Sequence, residues 1–549
     1  MGRRFKLRKT ELQKLPVGIQ AFEKLREGGY TYVDKTRYLL KLIENGTVYF
    51  LSRPRRFGKS LMVSTFDALF SGKKELFKGL AAEEFFDRPD YKISPVLRFD
   101  MSALDAEKGF QSMEDALILQ IITNAKRHGV TISSLAIKYS HSGFRELMQN
   151  VAAAYGPVVI LVDEYDKPML DVLHDSEEVD KARRLLRSFY TQIKSSDDCI
   201  RFVFFTGITK FSRAGVFSAL NNLEDISMDA DYASIAGYTE EELLLNFSGY
   251  IDKIAEIMKI SREELVVKIR DYYDGFSFDG FTKLYNPFST LSFLKNPKFL
   301  NYWFISGTPE FIARFMKDKN LTVEQFQGFE VSRDFASFPG EIDTATAASF
   351  LYQAGYLSLR PGSIEDYSLD YPNHEVLTAM SFLLIGNILG DSSTSQSSGT
   401  AFKQCLIHED KEGIKEELNQ LLAAIPYDDY MGAAKTVIKI KRLGIDAGEW
   451  LYRSTLLSYL YGIGLDVEAE THTHRGRADL IIKFKGQVWV LEIKIAKGEA
   501  RTKEAARDAL AQIKEKYAAR YIGAKLLGLA IDDEKRQITH IEFDEASKR

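Results

Sequence analysis

A chain of 549 residues, 45% hydrophobic and 27% charged, is too long for one core and has the make-up of a soluble globular protein of roughly three or four domains. Its net charge of −4 means that any nucleic-acid contact must come from a local basic surface, not from the field of the whole molecule. Cys199 and Cys405 are the only cysteines, which argues against a disulfide framework or a cysteine zinc site and fits a reducing compartment. The opening Met1-Gly-Arg-Arg-Phe-Lys-Leu-Arg-Lys9 has charge but no apolar run behind it, so no secretory signal is expected. Gly2 begins a myristoylation-like pattern, yet Lys6 stands where Ser or Thr is wanted. Apolar residues never run together for about 18 positions, so no membrane span is expected and the expected location is cytoplasmic.

In chain order, Gly28-Gly29 breaks a mixed opening and Tyr30–Val33 reads as a short strand. Asp34 caps a helix through Leu39, Leu40 and Ile43 that Gly46 ends. Val48–Leu51 is a strand feeding Arg53-Pro-Arg-Arg-Phe-Gly-Lys-Ser60, after which Leu61, Met62, Phe66, Leu69 and Phe70 give helical spacing. Strand, loop and helix in this order place a nucleotide phosphate at the loop. The backbone N–H groups of Arg55, Arg56, Phe57 and Gly58 face the anion, Lys59 adds a point charge and Ser60 is a candidate Mg²⁺ ligand. The pattern G-x-x-x-x-G-K-[ST] wants Gly at Arg53, and Pro54 removes one N–H. The competing reading is a Gly-initiated helix with a solvated basic turn.

Three further strands each end in a polar residue: Pro95–Asp100, the continuous run Pro157-Val-Val-Ile-Leu-Val-Asp-Glu164, and Ile200–Thr206. Helices are expected between them at Met113–His128 and Glu178–Ile193. This alternation predicts an open parallel sheet with ligands at the strands' carboxyl ends. Asp163 is then placed to complete a Mg²⁺ shell and Glu164 to polarise an attacking water; the alternative is a solvated strand end. Thr206 ends the next strand where a sensor of the terminal phosphate would lie, with Thr209 and Lys210 weaker candidates. The strand Val96–Phe99 separates the two motifs, as in ATPases with a strand inserted between the phosphate-loop and acidic strands.

Past Gly237, Thr239-Glu-Glu-Glu242 is a capping-box helix start, Tyr273–Gly280 a hairpin-like turn, and Tyr285-Asn-Pro-Phe-Ser289 another helix start. Ala345–Ala354 followed by Tyr356–Arg360 and Tyr367–Asp370 reads as helix plus hairpin, a winged helix or a small α+β lid. Asp391–Gly399 reads as a flexible linker. Helix is expected over Ala401–Gly444 and Glu449–Tyr461, then paired strands, one helix and a final strand.

Tyr32-Val-Asp-Lys-Thr36, Arg53–Ser60, Val162-Asp-Glu-Tyr-Asp166 and Phe205-Thr-Gly-Ile-Thr-Lys210 together resemble the AAA-ATPase-like family of bacterial proteins. Tyr285-Asn-Pro287 and Asn301-Tyr-Trp303 also match. The resemblance covers about the first three hundred residues and implies an AAA-type ATP-binding module in which Arg53 in place of Gly is normal. It also implies an oligomer in which a neighbour's arginine completes the site; that arginine is not identified.

Near the C-terminus, Gly476–Lys483 and Val488–Lys494 are expected to form a hairpin. Asp479 begins one strand, and Glu492 and Lys494, two apart, project from one face of the next. Two carboxylates and a lysine suit metal-assisted phosphodiester hydrolysis: Asp479 and Glu492 hold Mg²⁺ and Lys494 orients water. Glu-x-Lys is also a common surface ion pair, but apolar neighbours make its burial costly here without a purpose. The stretch resembles the PD-(D/E)XK nuclease superfamily over about Glu449 to the C-terminus, and pairing with an AAA-like module is itself a known arrangement. The resemblance implies Glu449 as a further acidic metal ligand, against an i,i+4 pair with Arg453. Gln512-Ile-Lys-Glu-Lys-Tyr517 is one residue too long for the Gln-x-x-x-Tyr of some members. His472 and His474 share a strand face but read better as a polar edge than as metal ligands.

The expected fold is α/β, with an AAA-type parallel sheet over 1–236, a helical and winged-helix-like region over 237–400, and a helical linker with a PD-(D/E)XK domain over 401–549. The expected function is an ATPase coupled to a nuclease acting on DNA or RNA, with ATP and Mg²⁺ as cofactors and Mn²⁺ as a substitute at the nuclease site. The alternative is a nucleotide-dependent switch that binds nucleic acid or protein through a non-cleaving nuclease-like domain.

Overall fold

The β-branched run at Val158 becomes the strand around which the first part of the molecule is built, and Val158–Val162 are all completely buried. The computed structural model describes residues 12–173, 175–210, 220, 222–305, 326–332, 335, 344–389, 392–423, 447–469, 480–517 and 520–546. The chain divides into two compact units, residues 1–306 with 328–375 and residues 307–327 with 376–549.

In the first unit, β1 (Val48–Ser52), β2 (Val96–Asp100), β3 (Val158–Asp163), β4 (Ile200–Gly207) and the short β5 (Glu224–Asp225) form one parallel sheet in the order β2-β3-β4-β1-β5. Parallel strands need crossover connections. The helices Lys59–Phe70, Phe110–Arg127, Ser140–Tyr155 and Ser176–Ser195 occupy those crossovers. Phe66 and Phe70 of the first pack on Phe202 of β4 with ring centroids 5.2 and 5.4 Å apart, and Phe144 stacks on Phe189 at 4.2 Å. Each such fully buried ring contributes roughly 1.5–3 kcal/mol. Phe205 of β4 is in register with both Phe50 of β1 and Val162 of β3, so the carboxyl ends of all three strands meet at one edge. The strand interposed between β1 and β3 is therefore β4; β2, which separates the two motifs in sequence, takes the sheet's edge.

The capping box at Thr239 forms as expected, with Thr239 and Glu242 bonded reciprocally at the start of helix Glu240–Met258. Asn286 caps Pro287–Lys295 by accepting from the N–H of Ser289. The helix Thr344–Ala354 precedes the hairpin β7 (Ser358–Pro361) and β8 (Tyr367–Asp370), and β6 (Phe329–Val331) adds a third antiparallel strand against β8.

In the second unit, β9 (Asp466–Ala469), β10 (Leu480–Phe484), β11 (Gln487–Ala496), β12 (Lys525–Asp532) and β13 (Gln537–Glu545) form a mixed sheet in the order β13-β12-β11-β10-β9. Where one final strand was expected there are two, because Glu534–Arg536 turns the chain back and β13 pairs antiparallel with β12. Trp489, Leu491 and Ile493 point from β11 into a core shared with Tyr452, Leu456 and Leu527, whereas Val490 packs on the other face with Leu510, Ile513 and Leu526. The serine-rich stretch expected as a linker is helical from Ser392, continuing to His408. Serine costs only a few tenths of a kcal/mol against alanine in a helix, and the same helix carries Phe402 and Leu406 into the core. Among the described residues, no helix is long and apolar enough to cross a membrane.

Candidate functional site

The loop between β1 and helix Lys59–Phe70 turns through two left-handed residues, Arg56 at φ 67° and Gly58 at φ 93°. A Cβ at Gly58 would meet nothing within 4 Å, so glycine is needed there for its backbone angle, not for space. Gly58 is also the helix N-cap and no side chain caps it, which leaves the helix's first N–H groups to a ligand. Lys59 is 6% exposed. Its ammonium donates to the carbonyls of Arg53 at 2.8 Å and Pro54 at 3.0 Å, so the loop curls around its own lysine. Burial holds that ammonium below its usual pKa range, and Glu164, Asp163 and Asp166 oppose the shift.

The side chains that depart from the glycine-rich pattern are anchored outside the loop. The Arg53 guanidinium is 1% exposed; it donates to the carbonyls of Ser52, Ser227, Tyr232 and Ala233 and lies 4.0 Å from the Phe278 ring centre. Burial lowers its pKa to about 10. Arg56 sits 4.8 Å over Phe288, and Phe57 packs edge-on against Phe276 and Phe278. Gly355, at φ 91°, lets the chain approach Pro54 so closely that a Cβ would come within 2.6 Å of it.

At the end of β3, Asp163 is 4% exposed and accepts from the Thr206 hydroxyl at 3.2 Å. The chain then turns through Glu164 at φ 52°, a conformation costing roughly 1–2 kcal/mol for a residue with a Cβ. Burial raises the Glu164 carboxyl above its usual range and Lys59 opposes it. Tyr165 and Asp166 serve a different purpose. The Tyr165 hydroxyl donates to the carbonyl of Thr209 at 2.8 Å, and Asp166 accepts from the N–H groups of Ile208 and Thr209 and from the Thr209 hydroxyl. Thr209 is thus committed to Asp166, and Lys210 pairs with Asp225 at 2.5 Å.

A cavity of about 380 Å³ opens at this edge, lined by Arg55, Arg56, Phe57, Gly58, Lys59, Ser60 and Glu164. Lys35 and Lys167 also line it, so five cations meet one carboxylate. The Lys35 ammonium is held by Glu242 at 2.6 Å and the carbonyl of Ser234 at 2.8 Å. Pro16, Ile19, Val33, Ile235, Tyr238 and Leu291 give the remaining wall an apolar part, beside Gln20, Thr31 and Thr65. A polyanion with a flat apolar group fits this donor set, and Ser60 and Glu164 share the wall with Lys59. Asp163 and Thr206, brought together by the register of β3 and β4, stand beside Glu164 as a buried pair.

In the second unit Glu492 and Lys494 share the face of β11 that carries Val490, beside helix Glu499–Tyr517. Glu492 is 2% exposed and, among the described residues, its Oε2 has no hydrogen-bond partner. An orphaned buried carboxylate oxygen is costly in itself and suits a cation ligand. Gly528, in register with Glu492, lets the helix sit against the sheet: a Cβ there would lie 2.4 Å from the Ala506 carbonyl oxygen. Asp479, His472, His474 and the side chain of Glu449 lie outside the described residues, and among the described residues no three metal-ligating side chains cluster. Gln512 is half-buried on the same helix. Lys494 is in register with Ala530 and, one strand further, His540. The ring Nδ1 of His540 meets the Thr502 hydroxyl at 3.1 Å, a pairing with no signature in sequence.

Residues 16–217 match the family described as Predicted AAA-ATPase and residues 447–541 the PD-(D/E)XK nuclease superfamily. A protein from Azotobacter chroococcum mcd 1, described as an uncharacterized protein in the vnfD 5' region, is 34% identical over 538 residues, spanning 96% of this chain and 98% of that one. Among solved structures, the Aeropyrum pernix ORC2 protein in ADPNP–ADP complexes aligns over 69% of this chain and 96% of its own, at 11% identity and a TM-score of 0.25. By its two matched segments and its full-length relative, the chain belongs to the family of predicted AAA-ATPases that carry a C-terminal PD-(D/E)XK nuclease-superfamily domain.

Proposed function

We propose that the first unit binds and hydrolyses ATP and that the second cleaves phosphodiester bonds in DNA or RNA, in the cytoplasm. The observation that carries the nucleotide half is one cavity wall holding Lys59, Ser60 and Glu164 with a surplus of positive charge. In this reading the N–H groups of residues 55–60 and the Lys59 ammonium hold the phosphates, and Ser60 and Asp163 hold Mg²⁺. Glu164 orients the attacking water and takes up its proton, and Thr206 keeps Asp163 in place. Bound Mg²⁺ supplies charge neutralisation on the phosphate oxygens. The buried, unpartnered oxygen of Glu492 supports the nuclease half. Glu492, with Asp479 and Glu449, would hold Mg²⁺ or Mn²⁺, and Lys494 would orient water and steady the developing charge.

The test has two arms. Replacing Lys59 by Ala should abolish binding of a fluorescent ATP analogue, and undiminished affinity refutes the loop assignment. Labelled single- and double-stranded DNA and RNA with Mg²⁺ or Mn²⁺ should be cut by the wild-type protein and not by Lys494→Ala. Binding without cutting by either protein refutes the nuclease half and supports a nucleotide-dependent switch.

A further inference from the structure

The short helix Lys167–Asp171 begins three residues after Glu164, and the N–H of Lys167 donates to the carbonyl of Glu164 at 3.0 Å. The two are therefore fixed relative to each other by a single turn, and both line the cavity that holds Lys59 and Ser60. The Lys167 ammonium donates to both carboxylate oxygens of Asp171.

This ion pair is arranged against helix stability. Acid before lysine is the favoured order at i,i+4, and here the lysine comes first. The two side chains are 26% and 28% exposed, and such partly solvated pairs contribute about 0.2–1 kcal/mol. Lys167 is one of three ammoniums on this cavity, with Lys35 and Lys59, so an incoming anion would attract it. The pair is thus weak, and it stands next to the carboxylate assigned to orient water.

We infer that Lys167 is a catalytic cation of the hydrolysis reaction, supplied by the same chain: it leaves Asp171 for the terminal phosphate of ATP and stabilises the charge on the phosphoryl oxygens as the bond to the leaving ADP oxygen breaks. The inference rests on the nucleotide reading proposed above. In the balanced step, water attacks the terminal phosphorus, Glu164 accepts its proton, and ADP and inorganic phosphate leave; Lys167 stays protonated throughout. Asp171 parks the lysine between turnovers.

The full-length chain tests this with two readouts, affinity for a fluorescent ATP analogue and the rate of phosphate release. Lys167→Ala should keep ATP affinity within about fivefold and lower kcat by about 100-fold or more, the scale of a missing charge-stabilising finger. Lys167→Arg should restore much of that loss, which a merely structural lysine would not need. Lys167→Gln serves as the second variant, with thermal melting to verify that it folds. Turnover within twofold of wild type in a folded, ATP-binding Lys167→Ala or Lys167→Gln protein overturns the proposal and leaves the nucleotide reading intact. A wild-type protein that binds no ATP overturns both.

Discussion

The indole Nε1 of Trp303 donates to the backbone carbonyl of Arg55 at 3.1 Å, tying the loop between β1 and helix Lys59–Phe70 to a residue 248 positions away in sequence. The backbone N–H of the same tryptophan donates at 2.7 Å to Glu375, a residue of the first turn of helix His374–Leu389. Two hydrogen bonds through one residue thus join the loop to the start of the helix at which the chain passes from the first unit to the second.

If nucleotide binding moves the loop, Trp303 should report it. The chain has three tryptophans, Trp303, Trp450 and Trp489, so a Trp450→Phe, Trp489→Phe background isolates the signal. ATP addition should change the emission of that background protein. Trp303→Phe keeps the packing on Tyr356 but removes the donor, at a cost of about 1 kcal/mol for one lost hydrogen bond, and should weaken ATP binding several-fold. An emission unchanged by saturating ATP would show that the tie is static.

Arg53 stands where the common pattern has glycine, and its two terminal guanidinium nitrogens donate to carbonyls of Ser52, Ser227, Tyr232 and Ala233. Restoring the common pattern with Arg53→Gly should therefore harm the protein. It strips those buried acceptors, empties the space over Phe278 and adds backbone entropy, together worth about 3 kcal/mol or more. Urea denaturation of the variant should show a lower midpoint with little change in slope, and equal midpoints would contradict this account.

This position also marks what the sequence made legible. The parallel sheet was readable because Val158–Val162 has one interpretation, a strand buried on both faces, and Gly58-Lys59-Ser60 after a strand has few. Which strand lies between β1 and β3 was not readable, because strand order is set by crossovers that leave no local mark. The purposes of Arg53, Trp303 and Lys167 were hidden for a related reason. Their partners lie in distant segments or in the shape of the cavity, and a sequence shows residue types without those partners. That Glu492 and Lys494 share one strand face was readable from their spacing of two on an apolar strand, whereas the pairing of His540 with Thr502 depends on β13, a strand that hydrophobic alternation marks weakly. The serine-rich stretch has a linker's composition but is helical, because the core contacts of its helix come from Phe402 and Leu406, beyond the serines.

Glu375 is completely buried, and burial pushes its carboxyl up to about 8. Tyr272, Tyr273 and Tyr302 are its neighbours. In the unfolded chain a glutamate ionises near 4.3, so the folded state binds the extra proton between those values. Its contribution to stability is fully present below about 4.3, declines by about 1.4 kcal/mol per pH unit at most as pH rises, and is lost above about 8. Glu375→Gln keeps the acceptor for Trp303 and cannot ionise. The difference in unfolding free energy between variant and wild type should therefore grow with pH from about 4 to about 8 and then level off. A difference independent of pH would mean that Glu375 ionises normally in the folded protein.

Glu492 presents the opposite bargain between stability and function. Its Oε2 is buried without a hydrogen-bond partner among the described residues, and a charge so placed costs several kcal/mol unless something binds it. A metal bound there stabilises the folded state by mass action, about 2.7 kcal/mol at a hundredfold excess over Kd. Wild-type protein should therefore unfold at higher urea as Mn²⁺ is added. Glu492→Gln should lose both that shift and nuclease activity while matching or exceeding the metal-free wild type in stability, since the amide removes the buried charge and keeps the shape. If instead Glu492→Gln is destabilised without metal and still shifts with Mn²⁺, the carboxylate is a structural group and the cation binds elsewhere.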